Sequence, residues 1–109
     1  MTQGEDQLTL MVTASLAGGI GYGNLYQCRV VKKIAGNLNE EAISVTILAG
    51  DHEKLAFMSA HLDPHELVIG FKKKRENEPY AMMPISGFVD KDKTSWEIDA
   101  LMPASRWKP

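Results

Sequence analysis

A single cysteine, Cys28, stands in a chain of 109 residues, so neither an internal disulfide nor a cysteine-built zinc site can hold the fold together. Long apolar runs are missing as well: nothing approaches the ~20 residues that a bilayer-spanning helix needs, and no membrane partner is expected. Excess positive charge is also lacking. The formal net charge of -2 supplies no global field to attract phosphate backbones, so any nucleic-acid role has to come from a local patch. The segment Met1 to Gln7 has neither the charged n-region nor the apolar h-region of a secretory signal. The expectation is a cytoplasmic protein for the chain as it stands, and a periplasmic or secreted one if a leader has been removed ahead of it. Internal repeats, low-complexity tracts and interior linkers are absent too.

What is present is ordinary globular material. Hydrophobic residues make up 44% and charged residues 24%, far from the polar signature of disorder, so one folded core is expected. Two cores in a chain of this size would each be too small to offset the entropy of ordering them. We therefore expect a single domain over 1–109, with its core in 8–101 and tails at 1–7 and 103–109.

The dominant pattern is a period of two. Leu8, Leu10, Val12, Ala14 and Leu16 alternate with Thr9, Met11, Thr13 and Ser15, which predicts a half-buried first strand. Four glycines between Ala17 and Asn24 predict a turn, a bulge or a sharply bent strand. In the second strand, Leu25 to Ile34, the residues Tyr26, Cys28, Val30 and Ile34 share one face and Gln27, Arg29 and Lys33 the other, with Val31 pointing outward as the exception. Turn residues Gly36, Asn37 and Asn39 lead to a β-branched third strand, with Ile43, Val45 and Ile47 inward. Asp51 is placed to cap a helix whose Leu55, Met58 and Leu62 recur at helical spacing until Pro64 stops it. Leu67, Ile69 and Phe71 mark a fourth strand, alternating with Val68 and Gly70. A short, interrupted strand follows around Ile85, Phe88 and Val89, and Trp96, Ile98 and Ala100 mark a last one.

Many strands and one helix exclude a doubly wound sheet, which needs helices after most strands. The expected class is mainly β: a five- to six-stranded antiparallel OB-like barrel, partly open, with one helix between strands three and four. Within that class the stretch YQCRVVKKIAGNLNEEAISV, Tyr26 to Val45, is similar to the strand, glycine turn, strand unit of tissue-inhibitor and netrin-like barrel domains. The later ELVIGFKKKRENEPY resembles their next strand. Those families mostly bind proteins through N-terminal cysteines and disulfides that are lacking here, so the resemblance implies a shape and no particular site. The placement of the helix resembles that in bacterial single-stranded-DNA-binding proteins.

Chemistry is sparsely advertised. Gly19, Gly21 and Gly23 fail the dinucleotide spacing at Asn24 and precede a strand instead of a helix, so a phosphate loop is set aside and no cofactor is expected. His61 and His65, with Asp63 between them and His52 upstream, are the candidates for a metal site. Pro64 should break the turn that would align the two histidines, and solvated side chains near a helix end explain them as well; no metal is expected. Cys28 lies on the apolar face, where a thiol packs as a small hydrophobe. Glu97 and Asp99 fall on one strand face about 7 Å apart, a spacing that an exposed strand explains without acid–base chemistry. No catalytic residue is assigned, and the chain is read as not an enzyme.

Basic residues form the one concentration of charge. Arg29, Lys32 and Lys33 on the second strand and Lys72, Lys73, Lys74 and Arg75 after the fourth are the candidate binding residues, with Tyr22 as a stacking surface. Glu76 and Glu78 follow the second run at once, as they would on a solvated hairpin. The expected function is a non-catalytic binding or assembly module with a protein or small ligand. Single-stranded nucleic acid comes second, and a metal-dependent or hydrolytic enzyme third. A homodimer is also expected, should the β-branched third strand lie at an unpaired edge.

Overall fold

The computed structural model describes residues 7–60, 66–74 and 86–107. Its elements are β1 (Gln7–Ile20), β2 (Gly23–Ala35), β3 (Ala42–Leu48), α1 (His52–Ala60), β4 (Glu66–Lys73), β5 (Gly87–Val89) and β6 (Ser95–Pro103), followed by a 3-10 turn over Ala104–Arg106. All strand pairings are antiparallel, and they close a barrel in the order β1-β2-β3-β5-β6-β4. Among the described residues, the mainly β class, the six strands and the single α-helix between β3 and β4 agree with the alternation pattern. Closure differs from the partly open barrel expected, and the seam between β3 and β5 is thin: Thr46 and Gly87 are the one paired position there among the described residues. Glycine is needed at that seam, because a Cβ on Gly87 would overlap the carbonyl oxygen of Trp96.

The alternating apolar sets meet inside as their period demands, except that Leu16, 52% exposed on the β1–β2 ribbon, and Ala100, past the irregularity between Gly70 and Phe71, lie outside. Tyr26, Cys28, Ile43, Val45, Ile47, Leu67, Ile69, Phe71, Trp96 and Ile98 are buried in one cluster with Leu8, Leu10 and Val12, and Val30 packs against it half-buried. Phe71 and Phe88 meet edge to face at 4.9 Å between centroids. Each such aliphatic or phenyl side chain contributes about 1.5–3 kcal/mol relative to exposure, which is what lets a chain of this size do without covalent staples. Helix α1 covers one end through Met58, with Leu55 and Phe57 partly buried beside it.

Several boundaries move, each for a tertiary reason. β1 runs on through the glycines to Ile20, because a tight turn at Gly21 and Tyr22 lets Gly19 and Ile20 pair with Asn24 and Gly23, with Ala17 bulged out of register. Of the tail expected at 103–109, Pro103 pairs with Leu67 as the end of β6, and the 3-10 turn packs near β4. On the outward phase of β4, Val68 is only 2% exposed, lying between Met11 and Met102 on its neighbouring strands. Asp51 starts α1 through its carbonyl, which accepts from the Leu55 amide at 2.9 Å, while its carboxylate accepts from the Ser86 hydroxyl instead of capping amides. Leu62, Pro64 and Ile85 lie outside the described residues. Among those described, no helix is long and apolar enough to cross a membrane.

Candidate binding groove on the β2–β3 face

β2 carries two residues, Val31 and Ile34, that have no counterpart on β1. Met11 of β1 stands opposite Lys32 and Val12 opposite Val30, so Val31 is an additional residue that bulges from the ladder. The bulge accounts for the outward Val31, which is 49% exposed, and it bends β2 so that residues 31–33 all face solvent. At this bend lies a groove of about 610 Å³ lined by Arg29, Lys32, Lys33 and Glu41 together with Val30, Val31 and Ala42. β3 holds its far bank in place: Arg29 is in register with Ala42, and the Val30 amide donates to the Glu41 carbonyl at 2.8 Å. None of the four charged side chains has an ion pair or hydrogen bond with another described residue. Three cations and one carboxylate thus face solvent without a partner among the described residues.

From the groove toward the β1–β2 turn the outer face becomes neutral. The Ser15 hydroxyl donates to the Gln27 carbonyl at 3.4 Å, and the Ser44 hydroxyl donates to Gln27 Oε1 at 3.2 Å, a polar strip across β1, β2 and β3. Beyond it Tyr22 occupies the turn, 55% exposed, with its carbonyl accepting from the Ala49 amide at 2.8 Å. Tyr22 precedes Arg29 by seven positions, about 23 Å along an extended strand.

The two basic runs do not merge. Lys72 is opposite Gln7, whereas Lys32 is opposite Met11 on the other side of β1, which places them about 13 Å apart along the strand and about 10 Å across it. Lys72 instead faces Glu97 on β6 and Lys73 faces Trp96, while the Lys74 amide donates to the Ser95 carbonyl at 2.9 Å. Arg75 lies outside the described residues. The groove therefore draws on Arg29, Lys32 and Lys33 alone. Reading the residues in sequence missed Glu41, since a carboxylate at a strand entrance carries no signal until β3 is docked on β2. Val31's break in the alternation was the visible trace of the bulge.

The other candidates separate. His61, His65 and Asp63 lie outside the described residues, and His52 is exposed on α1; among the described residues no three histidine, cysteine, aspartate or glutamate side chains are grouped to hold a metal. Cys28 faces the core, and burial pushes its thiol up to about 12, leaving no thiolate at neutral pH. Asp99 is the bulged residue where Gly70 pairs with Ala100 and Phe71 with Ile98, so it leaves the face that Glu97 shares with Lys72. No protein-family model, no characterised protein and no solved structure matches this chain.

Proposed function

We propose that this chain is a non-catalytic binding module, an OB-like barrel whose ligand is single-stranded nucleic acid held across the outer face of β2 and β3. The order of strands supports the fold assignment: β1 is shared between β2 and β4, β3 closes back toward β4 through the last strands, and a helix separates β3 from β4. The β2–β3 face and the turn between β1 and β2 are where barrels of this architecture take oligonucleotides and oligosaccharides. The observation that carries the reading is the groove itself, where Arg29, Lys32 and Lys33 stand together without intramolecular partners among the described residues. Cations that neutralise nothing among the described residues are available to phosphates. Tyr22, 55% exposed in the β1–β2 turn, adds a stacking surface.

A protein or small ligand, first in expectation from the sequence, becomes the second reading. It is favoured by Leu16, 52% exposed on the β1–β2 ribbon, together with Tyr22. An open groove bordered by three cations suits a flexible polyanion better than a compact apolar ligand, which needs enclosure.

Fluorescence anisotropy of a labelled mixed-sequence 15-nucleotide DNA, titrated over a salt series, tests the proposal. Three phosphate contacts predict a slope of log K against log salt of about -2, with binding that is micromolar at low salt and weak at physiological salt. Replacing Arg29, Lys32 and Lys33 with alanine together should abolish binding and leave the melting temperature unchanged. Absence of wild-type binding at 100 μM protein and about 50 mM salt would refute it.

A further inference from the structure

Glu41 is an odd residue to find in a groove for a polyanion. A carboxylate repels phosphate, so its presence among Arg29, Lys32 and Lys33 weakens backbone binding. It is not there to neutralise those cations in the free protein, since its side chain has no ion pair with any other described residue. Its backbone is tied by the hydrogen bond from the Val30 amide at 2.8 Å, so the side chain springs from a fixed point on the groove's edge.

We infer that Glu41 reads bases, and that it selects guanine. An ionised carboxylate only accepts hydrogen bonds, through two oxygens. Of the four bases, guanine alone presents two adjacent donors on its pairing edge, N1–H and the N2 amine, matching the two oxygens in the bidentate geometry that makes such pairs strong. Adenine and cytosine each offer one amine beside a ring-nitrogen acceptor. Thymine offers one N–H between two carbonyl oxygens, both of which repel the carboxylate. The groove thus divides its labour: Arg29, Lys32 and Lys33 hold the strand by its phosphates, and Glu41 sorts what the strand carries. This inference rests on the nucleic-acid reading of the groove.

The test uses three 12-nucleotide DNA probes at low salt: all thymidine, thymidine with two central guanosines, and the same strand with inosine at those places. Inosine keeps N1–H and lacks the N2 amine. The guanosine probe should bind wild-type protein about fivefold more tightly than the other two. In Glu41→Gln, which loses one acceptor and the charge, that advantage should fall below about twofold while the all-thymidine probe binds more tightly. Equal wild-type affinity for all three probes overturns base selection by Glu41 and leaves the nucleic-acid reading intact. Binding to none of them overturns both. Should Glu41→Gln fail to fold, the wild-type comparison of guanosine with inosine decides alone, because it changes the ligand and not the protein.

Discussion

The indole nitrogen of Trp96 donates a 3.0 Å hydrogen bond to Oδ2 of Asp90, across the turn that joins β5 to β6. The other oxygen of the same carboxylate accepts from the amides of Asp92 and Thr94, both at 2.9 Å. Lys93 adopts φ 65° within this turn, a left-handed conformation that a non-glycine residue holds only when its neighbours fix it. One side chain therefore organises the turn and satisfies the polar atom of a core tryptophan. Asp90→Ala should lower stability by about 2 kcal/mol, because it leaves the indole N–H and two amides without their acceptor. Trp96→Phe removes only one of those donors. Urea denaturation of both variants checks the order, and an unchanged midpoint in Asp90→Ala would show the turn to be held by other means.

The buried thiol makes a prediction about alkaline pH. Cys28 rises from an ordinary 9.0 to about 12 in the folded protein, because burial disfavours the thiolate. The folded state therefore keeps its proton where the unfolded chain has lost it. A proton bound only by the native form means that stability is unaffected by this group below about pH 9 and declines as the pH rises toward 12. Cys28→Ala should show a shallower alkaline decline than wild type in thermal melts between those limits. In parallel, the native thiol should resist an aromatic disulfide reagent at pH 8 and react at once in denaturant.

The homodimer expected from the sequence needs β3 to be an edge, yet β3 lies between β2 and β5, with Thr46 in register with both Leu25 and Gly87. Thr46→Pro should accordingly lower stability by about 3 kcal/mol or more, through the loss of a ladder hydrogen bond and the clash of the ring. Light scattering of the wild type over a dilution series should give the monomer mass of 12.1 kDa throughout. A doubled mass that disappears in Thr46→Pro with the fold retained would show instead that β3 has a free edge in solution.

How much of this was legible in the chain follows the range of the interactions. Ile43, Val45 and Ile47, or Leu67, Ile69 and Phe71, declare a buried strand face because side chains two apart point the same way whatever the strand packs against. The lone helix was equally local, set by a turn at Gly50 and apolar residues three apart at Leu55 and Met58. The sequence by itself thus determined strands, helix, core and the basic character of Arg29, Lys32 and Lys33. Only the tertiary structure decided that these three share a groove with Glu41 and that Lys72 does not join them. It also decided that Val68 is buried against Met11 and Met102, and that the Asp51 carboxylate turns to Ser86. Each of those facts depends on which strands become neighbours and in what register, and bulged residues such as Val31 and Ile34 shift the register and so rearrange what lies side by side.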